Sequence, residues 1–207
     1  MKNILLILTI IFLTIFTVFK INAQENNMDD IQKSTKEYSQ KILVVCYSFS
    51  NGNTRKIAKQ LQQELNADYV EIEPVTPYPA YGGYNSTVVS QGQKEVESGY
   101  KPEIKPLGVS ISDYDVIAIG TPTWWFAPAP PVMTFLTSNN FKGKKIIPFM
   151  THGGWPGHVI KDIKENCKGA EFLSETEVQF DSQGGAKMIT PQTEITKWIE
   201  QVKKELK

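Results

Sequence analysis

The sequence predicts an α/β protein built on a doubly wound parallel sheet, and three observations carry that prediction. From Lys41 onward, short continuous apolar runs alternate with amphipathic stretches, and continuous runs mark strands covered on both faces. The stretches between them place apolar residues at helical spacing, as strand-to-strand crossovers require. A chain of 207 residues with 41% apolar content can bury one core and leaves little room for a second.

In chain order, residues 1–23 read as a signal peptide. Lys2 precedes a run from Ile4 to Phe19 interrupted only by Thr9, Thr14 and Thr17, and Ala23 offers a small residue for cleavage. The sixteen-residue run is shorter than the ~20 residues that span a bilayer core. Ile21 and Lys20 fit a cleavage region poorly, so an uncleaved membrane anchor is the competing reading. Residues 24–40 are polar and read as a tether, and the domain proper is expected over 41–207. Strands are expected at Ile42 to Cys46, Tyr69 to Ile72, Val116 to Ile119 and Ile146 to Met150, with a less apolar fifth in Phe172 to Phe180. Ile57, Leu61 and Leu65 make one helical stripe, and Val159, Ile160, Ile163 and Cys167 another. A final helix should begin at Thr190-Pro191, an N-cap followed by proline at the first helical position.

Two stretches depart from this rhythm. Residues 74–114 exceed a simple crossover, with Pro74, Pro77, Pro79, Gly82 and Gly83 ahead of a weak helix near Ser86 to Ser98; such length often serves a binding site. Pro148 lies inside the fourth run, where its missing N–H predicts a bulge or distortion. Cys46 and Cys167 fall on an apolar strand and an apolar helical stripe, and read as two buried small hydrophobes rather than a redox or zinc motif.

Charge narrows the function. The chain carries 22 basic and 22 acidic side chains, and without residues 1–23 the count is 20 against 22. A slightly acidic mature chain has no electrostatic case for nucleic acid. GxGxxG and GxxxxGK[ST] are absent, which removes the dinucleotide fingerprint and the P-loop. HExxH and GxSxG are absent too, and His152 and His158 are the only histidines, which argues against a dedicated metal site or an ordinary serine triad.

Ligands of an open parallel sheet bind beyond the carboxyl ends of its strands, and three such segments are unusual. Ser48-Phe49-Ser50-Asn51-Gly52-Asn53-Thr54 leads from the first strand into the Ile57 helix. Its backbone amides and short polar side chains suit a phosphate dianion; an ordinary turn and N-cap has the same composition. Gly120-Thr121-Pro122-Thr123-Trp124-Trp125-Phe126 follows the third strand. Two adjacent indoles cannot both face one core, so at least one should stack on a planar ligand, unless both lie beneath the 74–114 segment. Thr151-His152-Gly153-Gly154-Trp155 follows the fourth strand; the paired glycines allow close backbone approach to a ligand edge, and each histidine is either a polar surface residue or a proton handler.

Taken together, the stretches NGNTRKIA, IEPVTPYP, YDVIAIGTPTWWFAPAPPVMTFL and PFMTHGG, in that order, resemble the flavodoxin-like FMN-binding proteins, specifically a bacterial branch with a GxPxWW loop. The resemblance covers most of residues 41–206 and implies a three-layer, five-stranded sheet in the order 2-1-3-4-5, with FMN held by three loops. It maps Ser48, Ser50, Asn53 and Thr54 to phosphate contacts, with Asn51 and Gly52 in the same loop. Pro122, Thr123, Trp124 and Trp125 map to one side of the flavin ring, and Thr151, His152, Gly153 and Gly154 to another. Three departures stand out: the phosphate loop carries one extra residue, Phe126 stands where the branch has Gly, and Trp155-Pro156 replaces smaller residues. The function implied is electron transfer or flavin-dependent reduction, with a redox protein or a small-molecule acceptor as partner. The alternative is a binding module that has lost FMN and takes another planar ligand through the Trp loop.

Overall fold

The computed structural model describes residues 39–182 and 185–207; the signal segment 1–23 and nearly all of the tether 24–40 lie outside them. Residues 40–207 form one compact unit. Its sheet runs β2 (Asp68–Glu71), β1 (Ile42–Cys46), β3 (Val116–Trp124), β5 (Lys145–His152), then β6 (Glu171–Phe172), all parallel. A second short strand, β7 (Thr176–Gln179), pairs with β5 further along, and β4 (Ala127–Pro128) folds back antiparallel onto the end of β3. The expected five strands are therefore seven: β6 and β7 are one edge strand broken in two, and β4 is a two-residue return.

Pro148 accounts for that break. No bulge forms in β5, and Pro148 stays in register with Ile119. Leu173 donates to the Ile146 carbonyl and Phe180 to the His152 carbonyl, at 2.9 and 2.8 Å, so even-numbered residues of β5 bond toward the edge. The donor missing at Pro148 falls on that side, where the edge strand is interrupted between β6 and β7.

Alternation along the strands separates two cores. On one face, Leu43, Val45, Ile117, Ile119, Ile146 and Met150 pack with residues of α3 (Pro130–Ser138) and α4 (Val159–Asn166). On the other face α1 (Asn53–Leu65) lies over β1, β2 and β3, and α5 (Gln192–Glu205) brings Trp198 to Phe149, ring centroids 5.9 Å apart. Gly120 is required on that face, because a Cβ there would stand 2.1 Å from the Phe149 ring. Cys46 and Cys167 are free and buried, and burial pushes both thiols up to about 12.

Three elements differ from expectation. The residues Gly120–Trp124 extend β3 instead of forming a loop, with Pro122 opposite Thr151. Helix α3 was not among the expected helices and starts with prolines at its first positions, which suit a helix start because proline lacks the N–H that would there go unbonded. The last helix begins one residue late: Pro191 is its N-cap, and the Thr190 hydroxyl accepts the Gln179 amide at 2.8 Å.

The long segment after β2 closes on itself. Val75 donates to the Glu103 carbonyl and Lys105 to the Glu73 carbonyl, at 2.9 and 2.8 Å, so the excursion between them returns to its starting point. Its helix, α2 (Thr87–Ser98), buries Val88 and Gly92.

We expect Gly120→Ala to cost ~3 kcal/mol of unfolding free energy in urea, the upper range for overpacking a tight core. Adding Phe149→Leu should recover part of that loss, because the clash is with the phenyl ring; independent, additive losses would show that the two do not share the space.

Candidate functional site

At the carboxyl ends of β1, β3 and β5 lies a cavity of about 520 Å³. The phosphate-type loop reaches it through a distorted turn. Ser50 and Gly52 adopt left-handed backbone, φ +54 and +70, and so turn the chain between β1 and α1. Gly52 is the N-cap of α1, and its carbonyl accepts the Lys56 amide at 2.9 Å. The amides of Asn53 and Thr54 fall in the first helical turn, where no intrahelical acceptor exists, and both residues line the cavity with Ser50.

Side chains of this loop are mostly engaged within the fold. The Ser48 hydroxyl accepts the Arg55 amide at 3.1 Å, and Asn53 Nδ2 donates to the Gly185 carbonyl at 2.9 Å. The buried Thr54 hydroxyl lies 2.8 Å from that of Thr151. Of the mapped phosphate-loop residues, Ser50, Asn53 and Thr54 line the cavity, while Ser48, Asn51 and Gly52 do not. Ser48 is spent closing the helix start, which puts its oxygen on the protein's own amide.

Trp124 and Trp125 both line the cavity but differ in kind. Trp124 packs edge-on against Tyr47, Phe49 and Tyr78, at centroid distances of 6.0, 5.5 and 4.9 Å. Its ring also lies over Gly92, where a Cβ would come within 3.0 Å. Trp125 is 42% exposed and is fixed by its indole N–H, which donates to the Val89 carbonyl at 3.0 Å. Of the two indoles, Trp124 is held by packing and Trp125 is presented. Phe126 follows at φ +67, a left-handed backbone that favours glycine.

Thr151, His152 and Gly153 line the third side, together with Pro122 and Thr123 from β3; Gly154 does not. The Gly154 amide instead donates to His152 Nδ1 at 3.0 Å. That bond makes Nδ1 an acceptor and places the neutral ring's proton on Nε2. Burial holds the imidazole below its ordinary pKa, with the Glu177 carboxylate pulling weakly the other way. His158 pairs with Asp162 at 2.6 Å and does not line the cavity.

Much of the wall comes from residues outside the three segments that the sequence marks. Tyr81, Tyr84, Val88, Val89 and Gly92 come from the long excursion, and Phe180, Asp181 and Ser182 follow β7. Only the excursion's length signalled a binding role. The Asp181 carboxylate accepts the Gly185 and Lys187 amides at 2.9 and 3.3 Å, and among the described residues no Lys or Arg lines the cavity.

A parallel sheet that gathers the loops of three adjacent strands around one cavity defines a doubly wound ligand-binding α/β protein. The flavodoxin family's model matches residues 41–202, and the chain belongs to that family. Among solved structures, the chain is similar to a protein of Bacteroides uniformis classed as a flavoprotein, at 26% identity and TM-score 0.64 over 78% of this chain and 98% of the other. A second, from Bacteroides eggerthii and classed likewise, shows 25% identity and TM-score 0.61 over 78% and 97%. A flavoprotein of Lactobacillus acidophilus in complex with FMN shares the fold at 22% identity and TM-score 0.57, over 77% and 99%. No curated protein matches the chain.

The two indoles should separate in stability measurements. Trp124→Ala should cost ~3 kcal/mol, as for other large aromatics cut from a packed cluster. Trp125→Ala should cost less than ~1 kcal/mol, because its ring leaves little packing behind. Equal losses in denaturant titrations would mean that Trp125 is also a packing residue.

Proposed function

We propose that the chain binds FMN in this cavity and acts in electron transfer, either as a carrier or as a small flavin-dependent reductase. The observation that carries the reading is one cavity joining the first turn of α1 to aromatic walls. Those two environments match the two halves of FMN, a phosphate dianion and a planar ring. The donor set fits as well: with no cationic side chain in the lining among the described residues, the anion would rest on backbone amides, the helix dipole and short polar groups.

FMN, when bound, supplies the redox chemistry, and the chain supplies position and surroundings. The amides of Asn53 and Thr54 and the Ser50 side chain would hold the phosphate. Trp125 would cover the ring and keep water from it. His152 would offer its Nε2 proton as an uncharged donor, because Nδ1 is occupied by the Gly154 amide. Beside the phosphate contact the sequence suggests for Thr54, its hydroxyl would fix the helix start against Thr151.

The location proposed is outside the cytoplasm, after removal of residues 1–23 and with 24–40 as a tether; an uncleaved segment would make the chain membrane-anchored. Lys2 belongs to no twin-Arg signal, so export would precede folding and FMN would be acquired afterwards.

Purified protein should show the visible absorption of flavin, or acquire it when FMN is added. Asn53→Asp brings a negative charge to the phosphate end while remaining favourable to a helix N-terminus. It should weaken FMN about tenfold or more and riboflavin about threefold or less. Equal losses for the two would remove the phosphate from this end of the cavity, and no flavin binding at all would favour a module that takes another planar ligand.

A further inference from the structure

Asn51 stands in the turn that joins β1 to α1, and no other asparagine of the chain is followed by glycine. It is exposed, and it lies between two residues of left-handed backbone, Ser50 and Gly52.

The backbone nitrogen of Gly52 is lightly held. Its N–H donates to the Phe49 carbonyl at 3.3 Å, beyond the usual N–H···O range of ~2.7–3.2 Å. A Cβ built on Gly52 would meet only the Arg55 guanidinium, at 3.1 Å, the far end of a flexible side chain. Glycine also carries no side chain to shield its nitrogen, and its backbone reaches conformations that other residues avoid.

Position gives this turn its consequence. Gly52 is the N-cap of α1, so the helix end whose dipole favours an anion begins one residue after Asn51. Asn51 does not line the cavity, and a charge arising on it would act on a phosphate there through its field rather than by contact. Among the described residues no Lys or Arg lines the cavity to offset such a charge.

We propose that Asn51 is a self-modification site: attack by the Gly52 nitrogen converts its side-chain amide to a carboxylate, and that carboxylate lowers the affinity of the site for FMN. The first half stands on the turn alone; the second rests on the FMN reading. In the ring-closing step the Gly52 nitrogen gives its proton to a solvent base and bonds to Asn51 Cγ. The bond from Cγ to Nδ2 breaks, and Nδ2 takes a proton from solvent and leaves as ammonia. Water then opens the cyclic imide at either carbonyl, leaving aspartate or its isoaspartyl isomer. Water is consumed, ammonia is released, and no oxidant or reductant takes part.

The test is peptide mapping of the full-length protein aged at neutral and at mildly alkaline pH, with each asparagine scored by its amide-to-acid mass gain. Asn66, Asn85 and Asn140 are exposed too but precede Ala67, Ser86 and Phe141, and serve as internal references. Asn51 should convert about tenfold faster than these or more, and faster at the higher pH, where the attacking nitrogen loses its proton more readily. Flavin titrations then compare the starting protein with its deamidated fraction and with Asn51→Asp, an exposed substitution that suits the approach to a helix start and should fold. Both should bind FMN about fivefold more weakly or worse and riboflavin within about twofold of the starting protein. The FMN loss should shrink as salt screens the charge. Conversion at Asn51 no faster than at the three references would overturn the modification site. Equal losses for FMN and riboflavin, or an unchanged FMN affinity, would overturn its effect on the phosphate. A protein that takes up no FMN would remove the FMN reading and the second half with it, while the mapping still decides the first.

Discussion

Ninety-seven residues separate Thr54 from Thr151, yet their hydroxyls meet at 2.8 Å in the buried centre of the molecule. The bond joins the first turn of α1 to the end of β5, and Thr151 is in turn the register partner of Pro122 on β3. Hydroxyls taken out of water without a partner are costly, whereas a satisfied pair adds only about 1 kcal/mol net. Its main effect is therefore positional: the helix start, the aromatic strand end and the His152 segment keep one mutual arrangement, and the cavity exists because they do. Replacing either threonine by an apolar residue would leave the other's hydroxyl buried without this partner.

The excursion between Glu73 and Lys105 supplies what a bare doubly wound sheet lacks. It adds Tyr81, Tyr84, Val88 and Val89 to the cavity wall, and it brings Gly92 against Trp124. Tyr47, Phe49 and Tyr78 complete the cluster around that indole. Packing Trp124 leaves the next residue, Trp125, to turn outward, and the left-handed backbone at Trp125 and Phe126 is the cost of reversing direction there. Arg55, the cation nearest the phosphate-type loop in sequence, pairs with Glu71 at 2.6 Å and does not line the cavity.

Much of this was legible in the sequence where local pattern and burial coincide. Runs such as Ile42 to Cys46 are apolar throughout because both faces of the strand are covered, and the stripe Ile57, Leu61, Leu65 is the buried side of a helix on that sheet. Other features were hidden by tertiary context. Nothing local distinguishes Trp124 from Trp125; the difference is made by Gly92, more than thirty residues earlier. Nor does composition show that Ser48 would serve the Arg55 amide and leave the cavity to Ser50 and Asn53. Helix α3 was not among the helices expected from the sequence, although prolines at its first positions suit a helix start. Pro148 signalled an irregularity that the structure places in the neighbouring strand, since the missing hydrogen bond belongs to two strands at once.

The central claim is that the start of α1, held by the Thr54–Thr151 bond, receives an anionic phosphate. Phosphorus NMR of the protein loaded with FMN addresses it without relying on any variant. The account predicts a bound resonance distinct from free FMN whose position stays nearly constant from about pH 5 to 8, because amides at a helix start hold the dianion well below the free second pKa of about 6. A bound resonance that titrates as free FMN does would contradict it, since the phosphate would then be in solvent and the ligand held by its ring alone.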